Sequence, residues 1–247
     1  MIRTILAFTL LGCGHGDSPP SPKPGHAPQD AAHVLAVPMK QAVDAKQLVI
    51  QSIESGEPPA SMVLVTSEPR FYIDRTEVTV GAFRECVEAK ACDPPSLAEW
   101  KTWDSRQPVT FVSPQQAWDY CLFRGKRLPT SKEWLRAALG EDGRKYPWGN
   151  AQPSCKYAVL AHCAKDIANV GTKPAGASPY GAVDMAGNVN EYINDDLSGK
   201  REKIDAAVSG GDQGTLPAEL ESVFDQRSGY ALAGVVTGFR CARSPKS

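Results

Sequence analysis

The sequence predicts a fold of mixed helix and strand in which irregular loops dominate the second half. Three observations carry that expectation. Two segments combine a capping signal with an apolar stripe at helical spacing, two short apolar runs flank a turn signal, and beyond Gly140 the pattern breaks into glycine, proline, asparagine and aspartate. The chain has 247 residues, 42% hydrophobic and 22% charged, an ordinary globular composition that suits one large domain or two small ones. The formal net charge of -1 gives no sign of the basic surface that nucleic-acid binding requires, so no nucleic-acid partner is expected.

The chain starts with the short cationic stretch Met1 to Thr4, an apolar run from Ile5 to Leu11, and then Gly12-Cys13. The run is far below the roughly 20 apolar residues of a spanning helix, so residues 1–12 read as a signal peptide. Leu10-Leu11-Gly12-Cys13 resembles the bacterial lipobox, which implies lipidation of Cys13 and a membrane partnership through the lipid anchor. Localisation would then be the bacterial cell envelope, extracytoplasmic, at the outer membrane or periplasmic face. Acyl chains contribute about 0.8 kcal/mol per buried methylene, so two or three suffice without a spanning helix. Residues 13–36, rich in Pro, Gly, Ser and Ala, read as a flexible tether because they cannot bury enough apolar surface to offset ordering. His15, His26 and His33 lie in or beside it and read as solvated. Residues 37–61 form a connecting segment with a short helix from Val37 to Ile53, and the globular domain spans 62–247.

Within that domain Met62-Val63-Leu64-Val65 and Phe71-Tyr72-Ile73 read as strands around the turn signal Ser67-Glu68-Pro69. Thr79 can cap a helix whose Phe83, Cys86 and Val87 share one face. Ser113-Pro114 is an N-cap followed by proline at the first helical position, with Trp118, Cys121 and Leu122 at helical spacing behind it. Thr130-Ser131-Lys132-Glu133 is a capping box, and the helix it opens carries Trp134, Leu135, Ala138 and Leu139 and stops at Gly140. Asp142-Gly143, Trp148-Gly149-Asn150 and Ser178-Pro179-Tyr180-Gly181 are turn signals in a loop-rich remainder that needs staples.

Cysteines supply them. Cys86, Cys92, Cys121, Cys155, Cys163 and Cys241 make an even number in a chain expected to be exported, where disulfides form. Spacing favours Cys86 with Cys92 and Cys155 with Cys163, leaving Cys121 with Cys241. Zinc is the rival use of these thiols, and no Cys-x-x-Cys or His-x-x-x-His pair supports it.

Several segments in order resemble the formylglycine-generating enzyme, or sulfatase-modifying factor, family. They are Phe71 to Thr79, Pro108 to Val112, Gly125 to Thr130 running into Glu133-Trp134, Tyr146 to Asn150, Ser178 to Gly181, Asp184 to Glu191, and Gly238-Phe239-Arg240-Cys241. The resemblance implies a single, loop-rich α+β domain related to the C-type lectin fold, with a disulfide between the positions of Cys121 and Cys241.

The family's oxidases hold copper(I) on two cysteines five residues apart, because soft thiolates suit that ion. The matching segment here runs from Ser209 to Leu220 and contains no cysteine; Thr215 and Leu220 stand at the two ligand positions. Copper is therefore not expected, and no catalytic residue is assigned, although Asp212, Glu219 and Glu221 offer carboxylates nearby. An iron-dependent class on the same fold uses three histidines, whereas only His162 lies within the predicted domain. One family site is matched. Asp184 and Glu191 with the backbone carbonyls of Gly187 and Val189 form an oxygen donor set suited to calcium. The alternative for that run is a hydrogen-bonded turn in which Glu191 pairs with a nearby arginine. The expected function is a non-catalytic binding or accessory module with an unidentified protein, peptide or glycan ligand. The competing reading is an oxygen-dependent oxidase of the formylglycine-generating type.

Overall fold

Strands β1, Met62–Val65, and β2, Phe71–Asp74, pair antiparallel with Met62 opposite Asp74 and Val65 opposite Phe71. On its other edge β2 takes β7, Ala242–Arg243, giving a three-stranded sheet in the order β1-β2-β7. The computed structural model describes residues 61–199, 206–225, 228–230 and 236–245, all inside the compact unit Asp44–Ser247. The expected signal peptide 1–12, lipidation at Cys13, tether to residue 36 and helix between Val37 and Ile53 fall on residues outside those described.

The three helices expected from sequence are present. Helix α1, Val80–Glu88, is capped by Thr79, whose side chain accepts the Ala82 amide at 3.2 Å. Helix α2, Pro114–Phe123, starts in a full capping box between Ser113 and Gln116. Helix α3, Ser131–Leu139, has the Thr130–Glu133 box and ends at Gly140, whose φ of 64° lies in the left-handed region that glycine adopts without strain. Two apolar assignments need correction. Leu122 and Leu135, expected in the buried stripes, are 55% and 38% exposed. The stripes are Ala117, Trp118, Tyr120 and Cys121 in α2, and Trp134, Ala137 and Ala138 in α3. In each case the leucine follows a buried residue of the stripe by one position, about 100° around the helix, and points away.

The second half contains more regular structure than its composition suggests. Strands β3, Asn190–Asn194, β4, Ala206–Ser209, β5, Ser228–Tyr230, and β6, Thr237–Gly238, form a sheet in the order β5-β4-β3-β6, with only β3 and β6 parallel. Helix α4, Leu220–Asp225, precedes β5. Two apolar clusters form the core. One joins the first sheet to α3, β3 and α4 through Phe71, Ile73, Trp134, Ile193, Leu220 and Phe224. The other packs α1 and α2 on Tyr192 and Phe239, with the rings of Phe83, Tyr120 and Phe239 5.5 to 6.2 Å apart. Disulfides join Cys86 to Cys92, Cys121 to Cys241 and Cys155 to Cys163, the pairing that spacing favours.

Candidate functional site

A charged cluster lies inside the protein where the two sheets come together. Arg240, between β6 and β7, is 0% exposed, and its guanidinium grips Glu191 of β3 through Nε to Oε2 at 2.7 Å and Nη2 to Oε1 at 2.6 Å. The remaining N–H groups donate to the carbonyls of Asp74 and Arg75 from Nη1 and of Val183 and Asp184 from Nη2. Trp134 donates from Nε1 to Glu191 Oε2 at 2.8 Å. Burial opposes the Arg240 charge, but the Glu191 carboxylate outweighs it and the guanidinium pKa is raised. One side chain thus ties together β2, β3, the loop at 183–184 and the α3 tryptophan.

Glu77 is the second member. It is 2% exposed, and its Oε1 accepts from Asn188 Nδ2 at 2.9 Å while Oε2 receives no donor. The Asp184 carboxyl acts on it through charge and itself accepts the Gly171 amide at 2.5 Å. Burial, then the Asp184 charge, pushes the Glu77 pKa well up; burial likewise raises that of Asp184 against the Gly171 amide and Arg240. A raised folded pKa contributes stability that is complete below the unfolded value, near pH 4, and is lost as pH climbs through the folded value. Glu77→Gln keeps the acceptor for Asn188 and carries no charge towards Asp184, so it mimics the protonated acid. The variant should match wild type near pH 4 and become progressively more stable towards pH 8. The gap should reach about 1.4 kcal/mol for each unit by which the Glu77 pKa is raised. Urea midpoints across that range measure it, and parallel profiles for the two proteins would show that the pair does not titrate.

Beside this cluster runs the segment from Ser209 to Leu220. Gly210 and Gly211 have φ of 100° and 68°, and a Cβ at Gly211 would stand 2.7 Å from Thr215 Oγ1, so only glycine fits. Thr215 closes a tight turn, its Oγ1 accepting the Asp212 amide at 2.9 Å and its backbone N–H donating to the Asp212 carbonyl. Leu220 is 0% exposed in the core with Trp134 and Phe224. The two positions matching the copper ligands are therefore spent on a turn and on packing. All six cysteines among the described residues are in disulfides, so none offers a free thiolate there. Asp212 is occupied by Asn190 Nδ2 and the Gly214 amide, and Glu221 by a surface pair with Lys145. Glu219 is exposed, and its carboxylate accepts the Leu216 amide. His162 is an exposed loop residue with φ of 69°, beside the disulfide-bonded Cys163.

The two carboxylates expected to bind calcium fall in one run but make other contacts. Asp184 and Glu191 are both buried, yet Asp184 faces Glu77 and Gly171 while Glu191 faces Arg240 and Trp134. The Gly187 amide donates to the Gly210 carbonyl, and Val189 is buried. This is the hydrogen-bonded alternative, and it fits a guanidinium at Glu191; to reach that carboxylate a calcium ion would have to displace Arg240. Sequence reasoning gave Glu77 no role and did not number the arginine. Both stand inside the runs that carried the resemblance, Phe71 to Thr79 and Gly238 to Cys241.

Comparison with known proteins agrees with this frame. The family described as sulfatase-modifying factor enzyme 1-like domain matches residues 25–245. The hercynine oxygenase of Mycolicibacterium smegmatis is 33% identical over 174 residues, 57% of this chain and 40% of that protein. The inactive C-alpha-formylglycine-generating enzyme 2 of Bos taurus is 43% identical over 95 residues, 34% of this chain and 32% of that protein. The chain thus spans less than half the length of these curated relatives. Among solved structures, PvdO from Pseudomonas aeruginosa superposes with a TM-score of 0.54 at 19% identity, over 71% of this chain and 80% of that one. The fold is the α+β, lectin-related one that the resemblance implied.

Proposed function

The chain belongs to the sulfatase-modifying factor enzyme 1-like family, and from that premise we propose that it uses the family scaffold as a non-catalytic binding or accessory module. The observation that carries this reading is the segment from Ser209 to Leu220, where Thr215 forms a turn and Leu220 fills the core in place of two thiolates. A scaffold whose reactive positions are rebuilt as structure keeps its shape and its surface, and function on a shared fold resides in the site. The similarity to a relative named inactive supports the same reading. The ligand would be a protein, peptide or glycan, presented at the cell envelope by lipid on Cys13.

The test is direct. The purified full chain, incubated with copper(I), oxygen and a peptide carrying Cys-x-Pro-x-Arg, should yield no aldehyde above a protein-free control by mass spectrometry. Turnover clearly above that control would overturn the proposal. The similarity to a hercynine oxygenase favours a second reading, an oxygen-dependent enzyme. His162 is the one histidine between residues 61 and 247, so a three-histidine iron site could not be built from that stretch alone. Calcium on Asp184, Gly187, Val189 and Glu191 also remains a proposal, in competition with Arg240.

A further inference from the structure

A cavity of about 350 Å³ opens beside the Cys121–Cys241 disulfide, away from the Ser209–Leu220 segment, within the size range of small-ligand sites. Its polar lining includes Asp74, Glu77, Tyr120, Arg124, Lys126 and Arg243. Asp74 is already committed. Its Oδ1 accepts from Lys126 Nζ at 2.5 Å and its Oδ2 from the Cys241 amide at 2.9 Å. Arg124 donates from Nη2 to Glu85 at 2.5 Å and from Nε to the Tyr120 hydroxyl at 3.3 Å, which leaves Nη1 uncommitted. Because Tyr120 accepts that bond, its own O–H remains a donor, and burial holds the phenol neutral by raising its pKa. Arg243 lies over the Tyr72 ring at 5.3 Å and has no carboxylate partner among the described residues.

The inventory is one-sided. Donors with bonds to spare are Arg124 Nη1, the Arg243 guanidinium, further N–H bonds of Lys126 and the Tyr120 O–H, against one carboxylate oxygen without a donor, Glu77 Oε2, on a residue that is 2% exposed. The charge count is equally plain. Lys126 is balanced by Asp74 and Arg124 by Glu85, and burial pushes the Glu77 pKa well up, so the Arg243 charge is left over at the accessible wall. A donor-rich wall with one surplus cation suits an acceptor-only monoanion, and a planar carboxylate matches the fork of a guanidinium. Val78, Ala82 and the Tyr120 ring supply an apolar floor for the rest of the molecule.

We propose that this cavity is a binding site for an organic carboxylate, held by Arg243, Arg124 and Tyr120 with its apolar part against Val78 and Ala82. This deepens the binding-module reading by naming a ligand class, and it rests on that reading. The carboxylate can come from a free small acid or from the end of a peptide chain. Benzoate stands for the first and N-acetyl-alanyl-phenylalanine for the second, each compared with its own neutral amide and with inorganic phosphate.

Amide chemical shifts of the full chain are followed during titration with each probe. At least one carboxylate should saturate, shifting residues 120–126 and 242–243, with its amide at least tenfold weaker and phosphate weaker too. The tighter of the two carboxylates identifies the source. Arg243→Gln should weaken that binding at least tenfold and Tyr120→Phe about threefold to tenfold, both at unchanged melting temperature. Arg243→Lys should recover part of the loss. Equal binding of acid and amide, tighter binding of phosphate, shifts elsewhere in the protein, or an unaffected Arg243→Gln variant would each overturn the assignment, as would no saturation by either acid. None of these results bears on the aldehyde assay, so failure here leaves the non-catalytic reading to be judged separately.

Discussion

Glu191→Ala is expected to lower stability by about 3–5 kcal/mol, the usual cost of removing one partner of a buried ion pair. The reason is what it leaves behind. Arg240 is fully buried, and although the four backbone carbonyls still accept its N–H groups, no charge of opposite sign touches it. Trp134 loses its acceptor as well, adding an unsatisfied indole N–H in the same place. Arg240→Met should be as damaging by itself, whereas the paired replacement Glu191→Leu with Arg240→Met should recover part of the loss, because an apolar pair of similar volume carries no desolvation penalty. Urea denaturation of wild type, Glu191→Leu, Arg240→Met and their combination forms a double-mutant cycle whose coupling energy measures the pair. Run with calcium and after stripping with chelator, the same cycle decides between the ion pair and the metal. A loss independent of calcium assigns Glu191 to Arg240. A loss seen only in calcium, with stripped wild type already as weak as the variant, assigns it to the ion.

The second large effect is expected at the Cys121–Cys241 disulfide, which closes a loop of 120 residues between α2 and the start of β7. The chain-entropy model gives about 5 kcal/mol for a loop of that size, before any strain or residual denatured-state structure is allowed for. Serine at both positions should therefore lower the denaturation midpoint by a large fraction of the total stability of an ordinary domain. The bridges Cys86–Cys92 and Cys155–Cys163 span 6 and 8 residues and should each contribute less. A double-serine variant within about 1 kcal/mol of wild type would show that the denatured chain is already confined by other means.

How much of this was legible in the sequence follows from where local signals exist. The caps at Thr79, Ser113 and Thr130 are side-chain to backbone bonds made within three residues, so they read directly. The first hairpin reads because its apolar runs flank a proline turn. The strand Asn190–Asn194 does not, because every position is buried while its sequence is Asn-Glu-Tyr-Ile-Asn. Its polar residues are satisfied by partners far along the chain: Glu191 by Arg240, Asn190 by Asp212. Alternation marks a strand with one wet face, and this one has none. The acid pair of Glu77 and Asp184 was hidden for the same reason, since its members are 107 positions apart and meet only in the folded state. The cysteine-free segment was the easiest feature of the site to read, because the absence of a residue type is a property of composition and needs no geometry.

Arg240 also determines when this chain can fold. Its guanidinium gathers backbone and side chain from residues 74, 75, 183, 184 and 191, and the strand next to it completes the first sheet against β2. Until residues 236–243 are available, β2 has one open edge, Glu191 has a buried position without a counter-charge, and Cys121 has no partner. Contacts of such sequence separation close slowly, since the intervening loop must be ordered before any of them is rewarded. A nascent chain stopped short of Arg240 would therefore have no closed native core and would stay open to proteases and to any machinery that handles unfolded polypeptides. Compaction is timed by the segment that carries Arg240.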